Sequence, residues 1–161
     1  MPTDALFDRA KVDPSKVVAD LEAIRKVNPQ RFELEQLTRI VHEADKGGEV
    51  AGVLEIPQDV WWARGHVPGR PLMPGVLMIE AAAQLCSFAV RCAYDPAEFG
   101  TRFFGFGGID RVKFRGTVVP GDTLVILGKR TELRPRRAIY DTQGWVADRM
   151  VFEAEITGMW V

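Results

Sequence analysis

The sequence lacks most of the features that announce a function. It has almost no charge excess: 21 Lys and Arg face 22 Asp and Glu, for a net charge of −1. That balance gives no pull toward nucleic acid or an anionic membrane surface. Cysteine is scarce. Cys86 and Cys92 lie six positions apart on one expected helix, so they point to different faces. They read as reduced packing residues rather than a disulfide. The two histidines, His42 and His66, have no ligand spacing, so no metal site is expected. The opening stretch, MPTDALFDRAKVDPSK, has no apolar segment of the kind a secretory leader carries, and a cytoplasmic location is the expectation. There is no low-complexity tract and no internal repeat. Residues 71–90 come nearest to a membrane span, but Pro74, Gly75, Glu80 and Gln84 interrupt the run and no second span follows.

What is present is enough for one globular domain spanning 1–161, with 47% hydrophobic and 27% charged residues. Residues 1–30 read as an N-terminal helical extension. Within it, Asp13-Pro14 is a start signal, Val17, Val18, Leu21 and Ile24 have helical spacing, and Asn28-Pro29 is a stop, which predicts a helix over 13–27. Residues 36–44 and 49–56 read as strands around the turn Lys46-Gly47-Gly48. Residues 57–73 have no clear period and form a loop. A long helix follows over 74–93, ended by Asp95-Pro96. Strands are expected at 102–107 and 111–119, then after the turn Pro120-Gly121-Asp122. A final hairpin joins 137–147 to 149–161 around Asp148. That makes an α+β chain of about six strands and one central helix. The helix is apolar on nearly every face and needs cover all round. One curved antiparallel sheet wrapped round it leaves a side open, which a second copy can close.

The polar residues of that helix are Glu80, Gln84, Ser87 and Arg91. Spacings of 4, 3 and 4 put them on a single stripe, either a solvated seam or the polar wall of a site. Just before it, His66 precedes a proline- and glycine-rich stretch, and Gly75 follows Pro74 at the helix start. Free N–H groups there favour negative charge, and glycine lets a ligand approach the backbone. One short segment therefore offers a base (His66), an amide-lined oxyanion site (Gly75, Val76) and an acid (Glu80). A carboxyl among apolar neighbours holds its proton more tightly, which suits an acid.

The stretch GHVPGRPLMPGVLMIEAAAQ, residues 65–84, resembles the signature of the FabZ-type (3R)-hydroxyacyl–acyl carrier protein dehydratases. Gly65, His66, Pro68, Gly69, Pro71, Met73, Pro74, Gly75, Glu80 and Gln84 are among the matches, and Glu80 follows His66 by the family's 14 positions. DRVKFRGTVVPGDTL (110–124) resembles the family's second conserved strand and turn. The chain departs from the pattern at Trp61-Trp62, at Val67 and along NPQRFELEQLTRIV (28–41). Glutamate at position 80, rather than aspartate, separates it from the isomerising FabA-type enzymes.

The resemblance implies a hot-dog fold. It implies dehydration of a 3-hydroxyacyl chain on acyl carrier protein in fatty acid biosynthesis, with no cofactor. His66 would be the base, Glu80 the acid, Gly75 and Val76 the carbonyl-binding amides, and Gln84 the residue that orients Glu80. It also implies a homodimer whose sites join His66 of one chain to Glu80 of the other, and further assembly into a trimer of dimers. Arg102, Arg111, Lys113 and Arg115 are then candidates to receive the acidic carrier protein. Two alternatives stay open: a hot-dog hydratase or thioesterase acting on coenzyme A thioesters, and a catalytically silent protein that binds acyl chains or the carrier.

Overall fold

The computed structural model describes residues 4–98 and 100–161. Six antiparallel strands form one sheet in the order β1-β2-β4-β5-β6-β3. They are β1 (Arg39–Ala44), β2 (Glu49–Glu55), β3 (Phe104–Phe114), β4 (Thr123–Arg134), β5 (Arg137–Val146) and β6 (Arg149–Trp160). The turns fall where the sequence places them, at Asp45–Gly48, Pro120-Gly121 and Ala147-Asp148. The sheet packs round one long helix, which is the hot-dog architecture.

That helix, α2, runs Gly75–Arg91, about 26 Å at the usual rise. Met78, Ile79, Ala81, Ala82, Leu85, Cys86 and Ala89 are buried along it. They pack on the inward residues of the strands, among them Val50, Leu124, Ile126, Tyr140, Phe152 and Ile156. The β1–β2 turn is locked to the helix at Gly47. A side chain there would sit 1.9 Å from the Ala89 carbonyl oxygen, and the backbone is left-handed at φ +76°, so only glycine fits. Burial pushes the Cys86 thiol well above its ordinary range, so it packs as an inert apolar group.

Two elements differ from the sequence expectation. Over 13–27 only Leu21–Arg25 is helical (α1), started by the Asp20 carboxylate accepting from the Ala23 N–H. The residues before it bond to the sheet instead: Val18 and Ala19 donate to the Ile40 carbonyl, and the Ile40 N–H donates back to Ala19. The free edge of β1 outbids helix propensity. The two strands expected within 102–119 are a single strand, β3 (Phe104–Phe114). β3 is continuous through irregularities at Phe106/Gly108 and Asp110/Lys113, with Arg111 left-handed at φ +50°, as bulges require. Arg115 and Gly116 still donate to the Val151 carbonyl of β6, and residues 117–119 then leave the sheet. Val118 is fully buried and its carbonyl accepts from the Met73 N–H, tying the strand end to the start of α2.

The outer face of the sheet carries a second core. Phe7 packs with Val41, Ala51, Val53, Leu127 and Trp145. Gln143 holds this segment by accepting from the Leu6 N–H and donating to the Asp4 carbonyl. The Arg9 guanidinium lies 4.3 Å over the Trp145 ring.

Candidate active site

The site is built at the start of α2. Pro74 precedes the helix and offers no side-chain cap. The Leu77 N–H reaches the Pro74 carbonyl, but among the described residues the N–H groups of Gly75 and Val76 have no acceptor. Two donors therefore stand open at the positive end of a 17-residue helix. The Phe114 ring lies against Gly75, where a Cβ would be 2.8 Å from it.

His66 lies in the exposed loop before the helix. Its own N–H donates to the Trp62 carbonyl at 2.8 Å. Its Nδ1 is 2.6 Å from the Leu72 carbonyl oxygen. A carbonyl only accepts, so Nδ1 carries the hydrogen and the neutral ring keeps its basic lone pair on Nε2. The next residue, Val67, is held at φ +61°. A left-handed β-branched residue is strained, and the turn is closed by the Arg70 N–H donating to the Val67 carbonyl.

Glu80 is half-buried one turn into α2. Gln84, only 3% exposed, donates to Glu80 Oε1 at 2.8 Å and to the Leu34 carbonyl at 2.6 Å. Its own oxygen accepts from the Gln36 N–H at 2.9 Å. Every polar atom of the Gln84 amide is therefore used, and the amide is fixed. Asn28 donates to the Gln84 carbonyl. Glu35 is clasped by Arg25, whose guanidinium holds that carboxyl below the usual carboxylate range. The 28–36 loop is thus a scaffold for Gln84, and through it for Glu80.

The stripe on α2 is not a solvated seam. Glu80, Ala83, Gln84 and Ser87 line a cleft whose other wall is Phe104–Phe106 of β3 and Ile156–Gly158 of β6, with Gln30 at its side. His66 does not line this cleft. Gln30 is the site neighbour that sequence reasoning missed, because it lies fifty positions from Glu80 and no local spacing links them.

Three of the four expected basic contacts are already paired. Arg111 bonds Asp141 at 2.7 Å and Glu155 at 2.8 Å. Arg115 bonds Glu153 at 2.6 Å, and Lys113 lies 3.8 Å from the same carboxylate. The acids stand on β6, the strand paired with β3, and on β5 just beyond it, so strand pairing supplies partners that a one-strand reading does not see. Arg102 has no acidic partner among the described residues. No helix is long and apolar enough to cross a membrane among the described residues.

A family model described as a FabA-like domain matches residues 28–155. The 3-hydroxyacyl-[acyl-carrier-protein] dehydratase FabZ of Desulforamulus reducens is 37% identical over 137 residues, 85% of this chain and 94% of that protein. Among solved structures, the dehydratase heterocomplex ApeI:P of Xenorhabdus doucetiae matches with a TM-score of 0.68 at 12% identity, over 86% of this chain and 90% of that one. A mutant thioesterase of Pseudomonas aeruginosa matches at 0.66 and 14% identity, over 92% and 99%. These two speak for the fold alone. The sequence match covers the whole stretch from Asn28 to Glu155 that holds the loop, the helix and most of the sheet, and by it the chain belongs to the FabA-like domain family, among the FabZ-type dehydratases.

Proposed function

We propose that this chain dehydrates a (3R)-3-hydroxyacyl chain on acyl carrier protein to the trans-2-enoyl thioester, with His66 as base and Glu80 as acid. His66 Nε2 takes the C2 proton. Enolate charge developing on the thioester carbonyl is met by the open N–H groups of Gly75 and Val76. The C3–O bond breaks, the hydroxyl takes the Glu80 proton and leaves as water, and the double bond forms between C2 and C3. The proton on His66 returns to Glu80 before the next turnover. Gln84 keeps Glu80 turned toward the cleft. The observation that carries this reading is the Nδ1 bond of His66 to the Leu72 carbonyl, which leaves Nε2 as the basic nitrogen. The same fixing speaks against a silent binding protein, which has no use for an oriented base.

The site is shared between two copies of the chain. β3 is an edge strand of 11 residues, with Phe106, Ile109 and Phe114 exposed along it. An open, apolar edge of that length calls for a partner strand. Pairing two β3 edges brings the partner's loop toward the Glu80 cleft, which within one chain has no histidine in its lining. A homodimer is the working unit, and a trimer of dimers is a further assembly of it. Arg102, free of acidic partners among the described residues, is the first contact for the acidic carrier. Arg111, Lys113 and Arg115 add to it only by exchanging the acids they now hold.

The test follows the conjugated enoyl thioester from a 3-hydroxyacyl carrier-protein substrate. Glu80→Gln is nearly isosteric and removes only the titratable proton. It should lower turnover by about 10²–10⁴-fold with an unchanged melting temperature. Turnover within a few-fold of the parent would make Glu80 a structural residue and end this mechanism.

A further inference from the structure

We propose that Phe114 is a positioning residue for the reaction. Its ring walls off one side of the open N–H pair at the start of α2, keeps water from that side, and so fixes where a thioester carbonyl can bind. The proposal rests on the dehydration reading above and adds a residue to it.

Gly75 is the first residue of α2, and its backbone is not left-handed. Conformational freedom therefore does not explain a glycine there. Its neighbour does. A Cβ on Gly75 would lie 2.8, 2.9 and 3.2 Å from Cζ, Cε1 and Cε2 of Phe114, closer than packed carbons approach one another. The outer edge of the ring stands where a side chain of residue 75 would stand.

The sheet aims the ring. Phe114 on β3 is paired with Phe152 on β6, and residues directly opposite share a face. Phe152 is fully buried in the core that packs on α2, so Phe114 points to the helix side as well. The backbone after it is fastened twice. The N–H groups of Arg115 and Gly116 donate to the Val151 carbonyl at 2.7 and 3.1 Å, and the Met73 N–H donates to the Val118 carbonyl at 2.8 Å. The second of these links joins the segment after Phe114 to the residue two before Gly75, so ring and glycine belong to one frame.

The place of the ring suits the chemistry better than it suits burial, since the side chain stays 52% exposed. The N–H groups of Gly75 and Val76 have no acceptor among the described residues, and water otherwise takes such donors. An apolar ring against Gly75 closes one approach to water. Fixed donors in water-poor surroundings act more strongly on developing charge. The carbonyl oxygen is left the approach away from the ring, which orients the thioester.

The experiment measures kcat and KM with a 3-hydroxyacyl carrier-protein thioester, beside sedimentation and thermal unfolding of each variant. Loss of a whole oxyanion donor costs about 10²–10³ in kcat, and loss of its shelter should cost less, so Phe114→Ala should lower kcat about tenfold with KM within about twofold. Its sedimentation should match that of the parent. Phe114→Tyr keeps the ring and should keep the parent's kcat. Phe114→Leu keeps apolar bulk without the ring and should fall between, and it carries the test if Phe114→Ala folds poorly. A kcat unmoved in both the alanine and leucine variants would overturn the proposal. So would a loss that appears only in KM, or only with dissociation into subunits, because Phe114 would then be a substrate or subunit contact. A parent without turnover would instead count against the dehydration reading, and this proposal would fall with it.

Discussion

The two edges of the sheet are finished in opposite ways. At β1 the chain covers its own edge: Val18 and Ala19 bond to Ile40, and the Phe7 segment packs over the outer face nearby. At β3, eleven residues long, nothing among the described residues pairs the outer side, and Phe106, Ile109 and Phe114 are exposed along it. A chain that spends a segment on sealing one edge has left the other available. The covered edge lies away from the chemistry. The open edge begins beside the Glu80 cleft at Phe104 and ends at Phe114, against Gly75. Stability is organised at the first edge; in the proposed function, assembly and catalysis belong to the second.

The largest effect should come from spoiling the open edge. Ile109→Lys places a charge on β3 without touching a residue assigned to the chemistry. It should leave a folded monomer in sedimentation and lower turnover by more than about 10²-fold, the scale of losing one acid or base from the site. A fully active monomer would break the comparison. Next comes the scaffold between the edges. Gln84→Leu leaves the Leu34 carbonyl and the Gln36 N–H without partners in a buried setting. It should cost about 1–3 kcal/mol in denaturant unfolding and lower turnover by a smaller factor than Glu80→Gln. A smaller effect belongs to the covered edge. Val18→Pro removes the N–H donated to Ile40 and should cost about 1 kcal/mol, with dimer and turnover unchanged. Loss of activity there would mean that the β1 edge also serves the site.

Much of the candidate site could be proposed from the sequence because its residues are local. His66, Gly75, Glu80 and Gln84 lie within nineteen consecutive residues, and helical spacing alone puts Gln84 one turn from Glu80. The helix and the three turns were legible for the same reason. What escaped depends on pairing across the sheet. The expected helix over 13–27 gave way because Ile40 offered Val18 and Ala19 a strand edge. β3 read as two strands because its bulges break the alternation at Gly107 and Arg111. Arg111, Lys113 and Arg115 looked free because their acids, Asp141, Glu153 and Glu155, sit on other strands. Gln30 joins Glu80 only through the fold of the 28–36 loop.

The central claim is that a working site takes His66 from one chain and Glu80 from another. Mixing His66→Ala with Glu80→Gln chains, under conditions where subunit exchange is demonstrated, tests it directly. Each homodimer lacks a group at both sites. In the heterodimer, one site receives an intact histidine and an intact glutamate, and the other receives both lesions. Random exchange should therefore restore about a quarter of the parent activity, far above mutants that are down about 10²–10⁴-fold. No recovery would place both residues of each site in one chain and contradict the account.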